Sequence, residues 1–285
     1  MKIGIVILNY LAYEETINCI ESLELQDKKS NEVRYVIVDN CSDNDSFCIL
    51  KKKYENRNDI DVVKTKKNIG FAKGNNFGYS ILKKNYDPDF VIFSNDDILL
   101  PQYGLYNWIG EMYKNYKFGV LGPKVYSVKG KFYQSPMENC TTSIFECNRL
   151  ILRYYLKLIK NYLKNFMQIK GIEKQYATWD NKYYKYFTDK KTIHGSFMIF
   201  SNKYLKIFEF PFDNRTYLYM EEDIIRLRCN LKKIKMIYSP EYCVDHLQAV
   251  STNKINITDY DKQKFRICNH IKSLKIYKKI LKEEI

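Results

Sequence analysis

The chain has 285 residues, 45% of them hydrophobic and 15% aromatic, which is enough for one large α/β domain or two small ones and too apolar for disorder. No apolar stretch approaches the roughly 20 residues needed to span a bilayer, and the short run Ile3–Leu8 reads as a strand rather than a signal peptide. The net charge of +14 suits nucleic acid, an anionic membrane or an anionic substrate, but it is concentrated in residues 149–170 and 262–282.

Ile3-Gly4-Ile5-Val6-Ile7-Leu8 is an apolar run of strand length, and Tyr13–Leu25 follows with Ile17, Ile20 and Leu23 at helical spacing. A second strand is predicted over Val33–Val38, a helix over Ser46–Tyr54 and a short strand over Ile60–Val63. Gly74–Leu82 reads as a helix, Phe90–Ser94 as a fourth strand and Leu105–Tyr116 as a further helix. Such alternation implies parallel βαβ units. The rhythm breaks over about 126–190, where Tyr154, Leu158, Tyr162 and Phe166 recur at helical spacing beside a basic stripe of Arg153, Lys157, Lys160 and Lys164. That helix suits either an anionic membrane surface or a packed position with a solvated lysine face. From Thr192 the order returns, with a strand over Ile193–Phe200, a helix over about Met220–Leu231 and a strand over Ile234–Tyr238. A basic amphipathic helix closes the chain from about Lys262. The expected fold is α/β, a mostly parallel sheet flanked by helices, with a helical insertion and a C-terminal helix.

Asn95-Asp96-Asp97, directly after the apolar run Phe90-Val91-Ile92-Phe93, is the most informative cluster. Ligands of open α/β sheets sit beyond the carboxyl ends of the strands, and two carboxylates with an amide there suit a hard divalent cation and its phosphates. The same residues also suit a plain Asx-type turn. Three further strand-end clusters accompany it: Leu8-Asn9-Tyr10, Val38-Asp39-Asn40-Cys41-Ser42-Asp43 and the run from Asn68 to Asn76. A carboxylate such as Asp39 can accept hydrogen bonds from a nucleobase or ribose. The glycines of the third cluster allow close backbone approach, and the helix opening there offers N–H groups to phosphate. That run is neither GxGxxG nor a Walker loop, so hydride transfer and NTP hydrolysis lose support.

Taken in order, Ile5–Tyr10, Val36–Asp43, Asn68–Asn76 and Phe93–Asp97 resemble the family 2 glycosyltransferases of GT-A fold, and most of all the rhamnosyltransferase-like members that build bacterial surface polysaccharides. His194-Gly195-Ser196-Phe197-Met198 resembles the family's acceptor-side strand, Tyr219-Met220-Glu221-Glu222-Asp223 its Glu-Asp motif, and Val244-Asp245-His246 its late histidine. The resemblance covers about residues 1–250. It implies a Rossmann-like, mixed and mostly parallel sheet, with a nucleotide-sugar half to 125, a variable helical insertion over 126–190, an acceptor half over 191–250 and a basic helical tail over 251–285.

The resemblance further implies that Asn9 and Asp39, with Tyr10 and Asn40 beside them, hold the nucleotide. Asn68, Gly70, Lys73 and Asn75 would enclose nucleotide and donor sugar. Asn95 would lie near the ribose with Asp96 close by, and Asp97 and His246 would bind Mn2+ or Mg2+. Asn95 departs from the strict Asp-x-Asp pattern. Asp223 matches the motif's terminal acid and is the expected base, with Glu222 its nearest competitor. Without the resemblance, Glu221, Glu222 and Asp223 favour a helix macrodipole, and His246 reads as a structural histidine.

The function implied is inverting, metal-dependent transfer of a sugar from a UDP- or dTDP-sugar to a hydroxyl of a growing, lipid-linked surface glycan such as capsule or the O-antigen of lipopolysaccharide. Eight cysteines without a CxxC pair suit reduced thiols, and the expected location is the cytoplasm, peripheral at the inner membrane face through the basic helices. A sugar-phosphate nucleotidyltransferase would want a Gly-rich basic loop where Asn9-Tyr10-Leu11-Ala12 stands. A nucleic-acid binder would line its cleft with Lys and Arg, whereas the surroundings of Asp39, Asp97 and Asp223 are acidic or neutral, so no nucleic acid is expected.

Overall fold

Apolar strands alternating with amphipathic helices set the first half of the chain, which runs β1 (Lys2–Asn9), α1 (Tyr13–Glu24), β2 (Glu32–Asp39), α2 (Ser46–Lys53), β3 (Ile60–Lys64), α3 (Phe71–Asn85) and β4 (Phe90–Asn95). It continues through β5 (Ile98–Leu99), α4 (Leu105–Tyr116), β6 (Val120–Ser127), β7 (Phe132–Tyr133) and a long α5 (Ile144–Phe166). After a 3-10 turn at Lys182–Lys185 come β8 (Phe197–Ser201), α6 (Asn202–Leu205), α7 (Glu221–Leu231), β9 (Met236–His246) and α8 (Asp259–Glu283). This computed structural model describes residues 1–167, 182–248 and 258–283. The expected continuation of the basic helix to 170, part of the insertion and parts of the C-terminal tail lie outside the described residues.

Among the described residues the strands form one sheet in the order β3-β2-β1-β4-β8-β6-β9-β5, with β7 paired to β6. Parallel ladders join β1 with β2 and β4, β2 with β3, and β6 with β9. β8 enters antiparallel between β4 and β6, and β5 pairs antiparallel with β9. The sheet is therefore mixed, as expected. Its two faces carry separate apolar layers. Ile3, Ile5 and Ile7 pack with Ile20 and Leu23 of α1 and Trp108 and Ile109 of α4, while Val6, Val36 and Val38 pack with Tyr79 and Leu82 of α3.

Three expected elements differ in extent. The helix expected over Gly74–Leu82 begins at Phe71, because Gly70 takes φ +83° and turns the chain there. The strand expected over Ile193–Phe200 begins only at Phe197. Ile193 is fully buried but lies outside the ladder, so its apolar character imitated a strand. The strand expected over Ile234–Tyr238 runs on to His246, held by β6 from Val120↔Met236 to Ser127↔His246 across a register irregularity at Gly122/Lys124. Pro240 and Glu241 break the apolar run in that stretch and conceal the continuity.

The stripe predicted on α5 also divides. Residues four apart on a helix drift by about 40° per step, so Tyr154 faces inward, half-buried against the α7–α8 cluster, whereas Tyr162 and Phe166 are exposed. The apolar residues of α8, among them Leu274, Tyr277, Ile280 and Leu281, are buried against α5 and α7.

Candidate active site

β4 ends at Asn95 and β5 begins at Ile98, so Asp96 and Asp97 form the turn between two strands of the sheet. The cluster is thus a turn and also a pair of carboxylates at strand tips. The Asn95 N–H donates to Ser196 O at 2.9 Å, and Asp96 Oδ2 accepts from the Tyr10 N–H at 3.4 Å. Burial, then the neighbouring Asp97 charge, push the Asp96 carboxyl well above its ordinary value.

Pairing of Ile98 with His246 brings β9 to the same turn, and the Leu247 N–H donates to Asp97 O at 3.0 Å. His246 Nε2 then stands 3.3 Å from Asp97 Oδ1. On the other side of the ring, Nδ1 lies 2.7 Å from Gln134 Oε1. An amide oxygen only accepts, so Nδ1 carries a proton, and in the neutral imidazole Nε2 offers its lone pair on the side of the Asp97 carboxylate. Two acceptors facing each other suit a cation between them, and the Gln134 contact orients the imidazole as outer-shell partners of metal ligands do.

His194 lies beside this pair, its ring centroid 5.6 Å from that of His246. Its Nδ1 accepts from the Ser196 N–H at 3.2 Å, and burial followed by His246 drives its pKa down to about 3, so the ring is neutral.

The next residue, Gly195, marks the approach of α7. A Cβ on Gly195 would stand 3.3 Å from Glu222 Oε2. α7 is entered through two consecutive left-handed residues, Tyr219 at φ 72° and Met220 at φ 67°, an uncommon backbone that fixes how its first turn is presented. Successive helical side chains then point about 100° apart, and the three acids part company. Glu221 is 5% exposed and is pushed up to about 8 by burial and by Glu222. Glu222 lies against Gly195, the residue after His194, and burial raises its pKa too. Asp223 Oδ1 accepts from the Cys140 N–H at 3.3 Å. Its carboxyl lines a cavity of about 340 Å³ with Asn139, Arg226 and Tyr277, and burial and Glu222 push it up to about 7.

At the strand tips expected to hold a nucleotide, the structure brings the expected residues together but encloses several of them. Asn9 and Asp39 are both 0% exposed. Asn9 Nδ2 donates to Asp39 Oδ2 at 2.7 Å, and Asp39 Oδ1 accepts from the Ser42 N–H at 2.9 Å. The pair holds the turn after β2 and does not line the crevice wall. Asn40 donates to Asn68 Oδ1 and Gly70 O and accepts from the Ile69 N–H, tying that turn to the next loop.

Helix-opening N–H groups are expected to face phosphate; α3 opens at Phe71, and the Gly70 and Phe71 N–H groups donate instead to Asn68 Oδ1 and Tyr217 O. Gly70 is required there, since a Cβ would meet Tyr217 O at 2.3 Å. Gly74 approaches Leu8 of the sheet, not a ligand. Lys73 is exposed, and Asn75 is buried with Nδ2 donating to Phe71 O at 3.1 Å.

Gln134 and Tyr217 went unmarked in the sequence, because each reaches the site by tertiary contact and belongs to no local pattern. His194 was visible within the His-Gly-Ser stretch, where its assignment to a strand concealed the turn.

Residues 4–206 match the model of the family described as glycosyl transferase family 2. No curated protein matches the chain. Among solved structures, residues 1–349 of S. aureus TarS are similar at 15% identity and a TM-score of 0.54, over 96% of this chain and 72% of that one. The complex of the same segment with UDP is similar at 16% identity and a TM-score of 0.55, over 96% and 72%. The complex with UDP-GlcNAc gives 16% identity and a TM-score of 0.53, over 95% and 65%. Against the longer S. aureus TarS structure the match spans 43% of that chain. At such identities the likeness carries the fold, which is GT-A, and no residue roles.

Proposed function

The chain belongs to glycosyl transferase family 2, and from that premise we propose an inverting, metal-dependent enzyme that moves a sugar from a UDP- or dTDP-sugar to a hydroxyl of a lipid-carried bacterial surface glycan. The observation that carries the reading is the Asp97–His246 pair at 3.3 Å with Glu222 set against Gly195 beside it. Crystals of TarS with UDP and with UDP-GlcNAc lend support to a uridine nucleotide.

Asp97 and His246 would hold the divalent ion. Among the described residues no group of three or more His, Cys, Asp or Glu side chains gathers to hold a metal, so diphosphate oxygens and water would supply the remaining ligands. A mixed nitrogen and oxygen donor set fits Mn2+ better than Mg2+, which favours oxygen alone. The ion would offset the negative charge of the departing nucleoside diphosphate.

Glu222, not Asp223, is the base in this reading. A base must reach the acceptor proton. Glu222 lies beside Gly195, the chain neighbour of His194, whose ring centroid is 5.6 Å from that of His246, whereas Asp223 is engaged by Cys140 on a different side of α7. A carboxyl raised by burial is suited to take a proton near neutral pH. One base with no covalent intermediate gives inversion at the anomeric carbon. Asn9 and Asp39 act indirectly, by holding the turn that Asn40 joins to the 68–70 loop. Among the described residues no helix is long and apolar enough to cross a membrane, so contact with a lipid carrier would be peripheral.

A thermal-shift screen of nucleoside diphosphates and nucleotide-sugars, with and without Mn2+, tests the reading. One uridine or thymidine nucleotide with Mn2+ should raise Tm by about 5 °C at a ligand concentration near 100 Kd. No response to any of them would overturn it.

A further inference from the structure

α5 is apolar on two opposite sides. One side, with Cys147 and Ile151, packs against Ile224 and Leu227 of α7 and Leu274 and Ile280 of α8. The other carries Phe145, Leu152, Leu156, Ile159, Leu163 and Phe166, exposed by 73, 59, 57, 56, 47 and 75%. At 3.6 residues per turn these six fall within about 80° of one another around the helix. A contiguous apolar stripe of this length left open to solvent is the mark of an interaction surface.

The flanks indicate what it meets. One edge is a row of exposed cations, Arg149, Arg153, Lys157, Lys160 and Lys164. The other edge is Tyr155 and Tyr162, also exposed. Glu146 is the helix's lone acid, and it is already paired with Arg149 at 2.7 Å.

We propose that this face of α5 docks on an anionic lipid bilayer, with the helix in the headgroup plane and the six apolar side chains in the acyl boundary. An apolar stripe edged by aromatic rings and a cation row is the pattern of interfacial helices. A second copy of the chain fits less well, because antiparallel packing of α5 on α5 would bring two cation rows together, and in either direction no free acid meets the row. The inference deepens the transferase reading. α5 is entered from the 139–142 segment, where Cys140 donates to Asp223 and Thr141 O accepts from Tyr277, so docking would hold the α7 end of the site one helix diameter, roughly 10 Å, from the lipid surface.

Co-sedimentation of the full chain with vesicles tests it. Binding to phosphatidylcholine vesicles containing 30% phosphatidylglycerol should exceed binding to pure phosphatidylcholine by at least about tenfold and should weaken with salt. Leu156→Glu, Ile159→Glu and Leu163→Glu together should lower vesicle partition by at least about 50-fold while leaving Tm unchanged, since all three positions are exposed. Lys157→Gln, Lys160→Gln and Lys164→Gln should lower it by at least about tenfold on anionic vesicles only, each cation being worth about fivefold at most.

Equal binding by wild type and the triple Glu variant would overturn the proposal. So would a dimer in light scattering that the same variant abolishes, which would assign the stripe to a second copy. The Tm shift with UDP or dTDP and Mn2+, measured on the same samples without vesicles, keeps the two readings separate. Absence of a shift with either nucleotide in wild type sinks the transferase and leaves the vesicle result standing.

Discussion

The two ends of the candidate site are built on different principles. At one end Asp97 and His246 stand at the tips of paired strands, where the Ile98↔His246 register brings residues almost 150 positions apart to within 3.3 Å. At the other end three consecutive acids open α7, and the helical rotation sends each into a different environment. Strand pairing thus gathers distant residues, and a helix separates neighbours. Adjacent carboxylates on α7 should therefore behave unlike one another, and distant residues at the strand tips should behave as a unit.

The sharpest test of that contrast compares Glu222→Gln with Asp223→Asn in release of nucleoside diphosphate from the nucleotide-sugar. Glu222→Gln should lower turnover by about 100-fold or more with nucleotide affinity nearly unchanged, whereas Asp223→Asn should stay within about threefold. The reverse ranking would return the base to Asp223.

Next in size is Gln134. Gln134→Leu removes the acceptor that fixes the His246 tautomer and should weaken Mn2+ affinity, read by titration, by about 10- to 100-fold. Unaltered Mn2+ affinity would detach His246 from the metal.

The smallest effect is on stability. Glu221 and Asp223 are pushed up to about 8 and about 7, from ordinary values of 4.5 and 3.8. Acids raised in the folded state keep their protons there while the unfolded chain has lost its own. Their contribution is fully favourable below about pH 4 and is lost as pH rises through 8. Replacing both by Gln and Asn should make Tm fall less between pH 5 and 8 than in wild type, by a few degrees. An identical fall in the two proteins would refute the shifted values.

Much of the strand-tip end was legible in the sequence. Apolar runs of strand length end at Asn9, Asp39 and Asp97, and a buried parallel strand delivers whatever follows it to the sheet's ligand-binding edge. What was not legible is which of those groups point outward. Asp39 and Asp97 read alike, yet Asp39 is sealed by Asn9 and Ser42 while Asp97 meets His246.

The α7 end was legible only as a cluster. Choosing among its acids needs the position of Gly195, which comes from a turn that the apolar Ile193 made look like a strand. α5 shows the same limit. Apolar residues at four-residue spacing, Tyr154 to Phe166, pointed to a single stripe, and the drift of that row hid a second, exposed one spaced by alternating threes and fours. α8 looked equally suited to a membrane, but Leu274, Tyr277, Ile280 and Leu281 are buried against α5 and α7.

Titration of UDP into wild type and Asp97→Ala, each with and without Mn2+, tests most directly whether the strand tips form a metal-linked nucleotide site. Mn2+ should tighten UDP binding at least about tenfold in wild type and leave Asp97→Ala unaffected. Equal UDP affinity with and without Mn2+ in both proteins would contradict it.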